Sequence, residues 1–305
     1  MNIVIVGLRR SGTTAFWGMW RQDARFTCYN EPFNQQLAQV GKPTWDGARF
    51  TAREFVTLYE RDPAAFWHHY APVPRHGELQ DDLSDQQARW LAWLQASGTH
   101  TCVDVTRCHY KLDSVAALDP NAVVVHLYRP PANWVTSVVQ PSVTHIARRS
   151  RAVERIYFST RLRLQAYRFR RVFWEARDGH GFKGFNELIG THPGTYFGTR
   201  LAEAGMDPAE IYALPDVGRL LAFWKLHYER IERHGPRLFG DRFLSVNFNE
   251  FCRQPQAVLD AVYQRAGLSA PTFDVSGIHA PPPAFDADDP RWGTYADRFH
   301  LPALS

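Results

Sequence analysis

Short runs of β-branched and apolar residues recur along the first half of the chain, separated by stretches of helical period. Residues 2–6, 26–29, 101–105 and 122–128 are continuously apolar or nearly so, the pattern of strands covered on both faces of a parallel sheet. Between them the period changes. Thr13, Thr14, Ala15 and Phe16 open a helix, and residues 51–61, 113–118 and 132–139 carry further ones. Ser84-Asp-Gln-Gln87 forms a capping box ahead of Trp90, Leu91 and Leu94, and Pro72-Val-Pro74 is a connector. The aromatic residues Phe66, Trp67, Tyr70, Trp90 and Trp93 read as core. Strand and helix alternate throughout, which predicts βαβ units. The expected fold class is α/β, three-layered, with a central mostly parallel sheet and helices on both faces.

The second half reads differently. Roughly 141–235 is all helix and loop, with Gly/Pro-rich connectors at 178–198, and is expected to be a helical insertion within a single domain spanning 1–305. A helix over 216–234 is capped by Asp216 and stopped by Gly235-Pro236. Residues 242–246 form a late strand, and a helix over 255–266 is opened by Pro255 and closed by Gly267. The last 38 residues, with Pro281-Pro-Pro283, read as an extended arm across the surface. No internal repeat or low-complexity tract interrupts this order.

At 305 residues the chain can bury one large core, or a core with an inserted subdomain. Hydrophobic and charged contents of 45% and 22% are those of a globular protein. No apolar run approaches the roughly 18 residues of a membrane helix, so no membrane span is expected. The chain starts on its first strand, so no signal peptide is expected. The four cysteines suggest neither a disulfide framework nor a zinc knuckle, and reduced thiols in a cytoplasmic protein are the expectation.

The net charge of +4 suits anionic ligands without calling for nucleic acid. Residues 148–177 hold ten arginines against Glu154 and Glu175. Val153, Ile156, Leu164, Tyr167 and Trp174 recur among them at steps that suit a long helix. Most of these arginines read as a solvated face with snorkelling stems. The sharper alternative is a wall that attracts a doubly anionic cofactor or an anionic acceptor.

Residues 2–16, NIVIVGLRRSGTTAF, carry the most chemistry. A buried strand, a loop flanked by Gly7 and Gly12, and a helix start aim backbone N–H groups and a positive dipole end at one spot. The spacing is that of the mononucleotide P-loop, but Thr13 stands at its lysine position, which argues against an ordinary ATPase or kinase. Cationic charge sits inside the loop, at Arg9 and Arg10. A plain glycine-bearing turn that binds nothing is the alternative. The run Arg10-Ser-Gly-Thr-Thr14 resembles the loop by which sulfotransferases hold the 5′-phosphosulfate of 3′-phosphoadenosine-5′-phosphosulfate (PAPS).

A second segment strengthens the resemblance. VVVHLYRPPANWVTS puts Arg129 just past a strand and Ser137 eight residues on, near the start of a helix, so both can meet one phosphate dianion. It is similar to the R-x-P-x-x-x-x-x-S site for the 3′-phosphate, which Arg129, Pro131 and Ser137 match, 119 residues after Arg10. Residues 244–268 look like the family's late strand and helix, with Phe248 where an aromatic near the adenine is often found. The resemblance covers 2–32, 101–138 and 242–268, the cofactor half. Cytosolic sulfotransferases usually end on R-K-G-x-x-G-x-W; only Asp289-Pro-Arg291-Trp292-Gly293 stands in its place, with Arg291 as the candidate contact.

The family resemblance implies a P-loop-like fold, PAPS as co-substrate, 3′-phosphoadenosine 5′-phosphate (PAP) as product, and no metal. Arg10 occupies the lysine position of the family's K-S-G-T-T loop, where a cation stabilises the leaving phosphate. Ser11, Gly12, Thr13 and Thr14 would cradle the 5′-phosphate. Two residues can serve as general base. Glu31, 21 residues after Arg10, stands in an Asn-Glu-Pro context similar to tyrosylprotein and carbohydrate sulfotransferases, with Pro32 expected to keep it extended. His109, 20 residues before Arg129, resembles the base of the aryl and steroid enzymes. Glu31 ranks first. The plain alternatives are a salt bridge from Glu31 to Arg9 or Arg10 and a hydrogen-bonded loop histidine. The expected reaction is sulfuryl transfer to a hydroxyl, less readily an amine, of a small-molecule or glycan acceptor. The rivals are a nucleotide or nucleoside kinase and a non-catalytic adenine-nucleotide binder. Oligomeric state is not legible in these residues.

Overall fold

The computed structural model describes residues 1–42, 52–148, 174–175, 189, 193–281, 284 and 287–302. Nearly all of the arginine-rich stretch after Arg148, most of the 178–198 connector and Pro282-Pro283 lie outside them. The chain divides into two compact units, one of Met1–Arg129 and His227–Pro281, the other of Pro130–Leu226 and Pro282–Ser305.

The first unit holds a five-stranded, all-parallel sheet of β1 (Asn2–Val6), β2 (Phe26–Asn30), β3 (His100–Asp104), β4 (Val123–Tyr128) and β5 (Phe243–Asn247). The order is β2-β3-β1-β4-β5. The pleat sends alternate residues to opposite faces, and both faces are covered. Val4, Val6, Val103 and Val124 meet Phe55, Trp90 and Leu91 on one side. Ile3, Ile5, Cys102, Val123 and Val125 meet Phe16, Trp17, Trp20 and Leu259 on the other. Burial on both faces is why these strands read as unbroken apolar runs. The α/β, three-layer expectation holds.

The helices, in chain order, are α1 (Thr13–Trp20), α2 (Arg53–Arg61), α3 (Pro63–His69), α4 (Asp85–Gln95), α5 (Leu112–Leu118), α6 (Pro131–Arg148), α7 (Tyr196–Glu203), α8 (Pro208–Ala213), α9 (Asp216–Phe239), α10 (Phe248–Arg253), α11 (Pro255–Arg265) and α12 (Arg291–Phe299). The capping box on α4 is present as its spacing predicts. Ser84 Oγ accepts from the Gln87 N–H at 3.3 Å, and Gln87 Oε1 accepts from the Ser84 N–H at 3.0 Å.

Three expectations need correction. Helix α9 does not stop at Gly235-Pro236 but runs through Pro236 to Phe239. Only about one turn follows the proline, so the lost hydrogen bond is outweighed by burial of Phe239, which is 1% exposed. Gly235 serves close packing instead, because a Cβ there would lie 2.1 Å from the Phe243 ring. The C-terminal arm is not extended throughout. Its residues 291–299 form α12, where Trp292, Tyr295 and Phe299 fall on one helical face and Trp292 and Phe299 are buried. Finally, Trp67 leaves the aromatic core and is 40% exposed, whereas Phe66 and Trp90 are fully buried.

The second unit is helical in its described residues: α6, α7, α8, the start of α9, and α12. Trp134 stacks on Phe223, and Trp174 packs edge-on against Trp292.

Candidate active site

The residues of the first unit that the sequence singled out emerge at the carboxyl edge of the sheet. Gly7 follows β1, Glu31 follows β2, Arg107 and His109 follow β3, Arg129 follows β4 and Phe248 follows β5. Successive strands are laid down on one side of β1 and then on the other, so the crevice beside β1 and β4 is where a ligand is expected.

The loop after β1 is built by steric necessity. A Cβ on Gly7 would lie 2.2 Å from the Leu127 carbonyl oxygen, so only glycine lets β1 leave the sheet this close to β4. The Ser11 N–H donates to the Leu8 carbonyl at 3.0 Å, and two residues take left-handed conformations, Arg10 at φ 74° and Gly12 at φ 94°. For arginine that conformation costs about 1–2 kcal/mol, which the surrounding loop must impose. Helix α1 then begins with no side-chain cap and no acidic residue in its first turn. Its N-terminal dipole therefore faces the loop without a competing carboxylate on the helix.

Arg129 comes to the same place. Its guanidinium carbon lies 4.4 Å from the centroid of the Phe248 ring. The same ring packs on the loop, since a Cβ on Gly12 would come within 2.2 Å of it. Burial, and then the nearby Arg10, push the Arg129 guanidinium below its ordinary value. Two cations from distant parts of the sequence thus converge on one turn, an arrangement that favours a multiply charged anion. Phe248 itself is only 5% exposed, so it props Arg129 and the loop from below.

A second cluster adjoins the loop. The expectation that Pro32 holds Glu31 extended is overturned: Glu31 takes φ 48°. Its N–H donates to the Asp104 carbonyl at 3.0 Å, prolonging the β2–β3 ladder, and its own carbonyl accepts from the Asn34 N–H at 3.0 Å in a tight turn. Those two bonds outweigh the preference set by proline. The Glu31 carboxylate, about one-fifth exposed, accepts from Asn34 Nδ2 at 3.1 Å and stands 3.8 Å from Arg107 Nη2.

Arg9 turns away to Glu78. Its Nη2 donates to both Glu78 oxygens, at 3.0 and 2.8 Å, and Arg107 Nη1 donates to Glu78 Oε1 at 2.6 Å. Glu78 comes from a 3₁₀ turn, Arg75–Leu79, and is 1% exposed. Burial pushes its carboxyl up while the two guanidiniums pull it down; with three charge-assisted bonds on its oxygens, the geometry holds the carboxylate.

His109 lies deeper, 1% exposed, with Nε2 3.9 Å from Glu78 Oε2 and its ring edge-on to His227 at 4.6 Å. Burial, with His227, Arg9, Lys111 and Arg107 adding to it, holds the imidazole well below its usual range and therefore neutral. Asp104, opposite Ile5 and Asn30 in the sheet, is fully buried. The Thr13 side chain and the Thr106 backbone approach it, yet its carboxylate oxygens take no hydrogen bond of full geometry, and burial raises the carboxyl well above its ordinary value.

Of the residues singled out in the sequence, Arg10, Ser11, Gly12, Thr13, Thr14, Glu31, His109, Arg129 and Phe248 all belong to the first unit. Ser137 belongs to the second, half-buried on α6. Arg291 is also there; it pairs with Asp289 through Nε at 2.8 Å and Nη2 at 2.7 Å and lies over the Trp174 ring. Sequence reading missed Glu78, Asp104 and His227, and it passed over Arg107 inside the stretch Thr106–His109. Among the described residues no group of three or more His, Cys, Asp or Glu side chains is arranged to hold a metal, and no helix is long and apolar enough to cross a membrane.

A model of the sulfotransferase family matches residues 2–180. No curated protein matches the chain. Among solved structures, the sulfotransferase domain of the Synechococcus PCC 7002 olefin synthase is 16% identical, with 99% of this chain and 90% of that one covered at a TM-score of 0.45. The sulfotransferase domain from the curacin biosynthetic pathway is 12% identical, with 99% and 98% covered and a TM-score of 0.46. A sulfotransferase from Alicyclobacillus acidocaldarius is 15% identical, with 99% and 96% covered and a TM-score of 0.44. Likenesses this distant carry no chemistry from one chain to another.

Proposed function

The chain belongs to the sulfotransferase family, and from that premise we propose that it moves the sulfuryl group of PAPS to a hydroxyl of a small-molecule acceptor. The observation that carries this reading is the approach of Arg129 to the glycine turn that bears Arg10, with Phe248 packed against both Arg129 and Gly12. A turn too tight for any side chain at Gly12, which bears Arg10 and has Arg129 beside it, suits a ligand with phosphate at both ends.

In this reading Ser11, Gly12, Thr13 and Thr14 hold the 5′-phosphate through backbone N–H groups and hydroxyls. Arg129 meets the 3′-phosphate. Arg10 faces the bridging oxygen, where negative charge grows in a loose, in-line transfer. The acceptor oxygen forms a bond to sulfur as the bond from sulfur to the bridging oxygen breaks. The electron pair of that bond leaves with PAP, and the acceptor proton passes to the Glu31 carboxylate. Glu31 is preferred to His109 because it reaches the surface, while His109 is sealed beneath Glu78 and His227. The roles expected of Ser137 and Arg291, and of residues 141–235 as the acceptor side, rest on sequence alone. So does a glycan or amine as the alternative acceptor. A cytoplasmic setting belongs to the reading as well, on the strength of four unbridged cysteines.

Thermal-shift titration tests the nucleotide. PAP should stabilise the protein strongly and ATP with Mg²⁺ should not, because stabilisation follows ligand concentration over Kd. Transfer of ³⁵S from PAPS to a panel of phenols and alcohols then separates an enzyme from a binder. PAP without effect on melting would remove the proposal.

A further inference from the structure

Four charged side chains beside the loop form an alternating chain: Arg9, Glu78, Arg107 and Glu31. Glu78 is the member with the most bonds and the least exposure. Arg107 is shared unequally, 2.6 Å from Glu78 and 3.8 Å from Glu31. Stability alone gives a poor account of this arrangement. Desolvating several charged groups costs about as much as their pairing returns, so apolar side chains at all of these positions together would hold the fold as well.

We infer that Glu78 is a positioning residue of the transfer site: it binds Arg107 short, which leaves Glu31 open to the acceptor proton, and it binds Arg9, which keeps that guanidinium off the anion. The inference rests on the reading of Glu31 as base. Without the negative charge at 78, Arg107 closes onto Glu31 and ties it up. Arg9 is then released towards the loop, adding a third cation to the anion site. The groups facing Glu31 are Arg107, Arg9 beyond it, and the two carboxyls of Glu78 and Asp104. Those facing Glu78 are Arg9, Arg107, His109, Glu31 and the Cys108 thiol.

The signature is a pair of opposite signs that a merely structural residue would not produce. In Glu78→Gln, kcat at saturating PAPS and acceptor should fall about tenfold, with the acid limb of its pH profile moved down by about one unit. PAP should bind several-fold tighter in the same variant. Glu78→Asp, which keeps the charge, should return the limb to within a few tenths of a unit. Arg9→Gln removes a cation from the far end of the chain and should move the limb upward. If Glu78→Gln does not fold, the direction of the Arg9→Gln shift decides. A limb unmoved in both variants, or moved the same way in both, overturns the inference, as does PAP affinity falling in step with kcat. Full activity in Glu31→Gln would instead defeat the base assignment. The PAP arm of Glu78→Gln then still decides whether Glu78 restrains Arg9.

Discussion

The guanidinium of Arg129 rests on the ring of Phe248, 4.4 Å from its centroid, and the opposite demand on that ring comes from Gly12, whose missing Cβ is the space it fills. One aromatic residue after β5 therefore fixes the strand-end arginine and the glycine turn together. Replacing Phe248 by Leu should keep the fold while loosening Arg129. The lost cation–π contact is worth about 1 kcal/mol, so PAP should bind about five-fold more weakly. Calorimetric titration of PAP against both proteins checks this, with melting temperature as the control for folding.

Gly12→Ala tests the turn from the other side. The new methyl meets Phe248 at 2.2 Å and sits on a backbone at φ 94°, so it must displace either the ring or the loop. Destabilisation of roughly 1–3 kcal/mol is expected, the usual cost of overpacking. The thermal shift produced by PAP should disappear. A variant that melts lower yet keeps the full PAP shift would separate the turn from nucleotide binding.

Arg10 and Arg129 should fail in different ways. Arg129→Ala should lose discrimination between PAP and adenosine 5′-phosphate, which lacks the 3′-phosphate, by about 10- to 100-fold, the range of a charged hydrogen bond. Arg10→Ala should keep that discrimination and lose kcat. Competition of the two nucleotides in the transfer assay reads both outcomes.

The sheet and the glycine-bearing turn after β1 were legible because their signals are local. Strands buried on both faces must be apolar throughout, and a turn that abuts Leu127 and Phe248 must place glycine at positions 7 and 12. Arg129 could be read because it follows a strand whose end was plain. Glu78 could not: it sits in a 3₁₀ turn of polar residues with no period, and only burial distinguishes it from a surface glutamate. Loop spacing likewise says nothing about which way a side chain points. Arg9 and Arg10 were both expected at the anion, Arg10 alone at the lysine position, and Arg9 turns to Glu78. Proline also misled three times, at 32 where Glu31 turns to φ 48°, at 236 where the helix continues, and in the C-terminal arm, where Trp292, Tyr295 and Phe299 fold as a helix.

His109 and Asp104 give the protein two opposed pH dependences. The folded state holds His109 neutral, so between its lowered value and the unfolded value of about 6.5 the unfolded chain binds more protons. Stability therefore falls as pH drops below about 6.5, and His109→Asn should flatten that limb. Urea unfolding of both proteins from about pH 7 down to about pH 5 measures the difference.

Asp104 runs the other way. Its carboxyl is raised by burial first and by Glu31 second, so above the unfolded value of about 3.9 the folded state holds the extra proton. That preference contributes full stability below about pH 4 and is lost as pH climbs through the raised value. An asparagine side chain at this position presents a neutral group of similar shape at every pH. Asp104→Asn should thus match the parent near about pH 4 and gain on it as pH rises through the raised value. Unfolding curves that stay parallel across the range would mean that Asp104 is ionised in the folded protein. A loss of PAP binding at neutral pH would mean that its charge, held beneath Thr13, serves the loop directly.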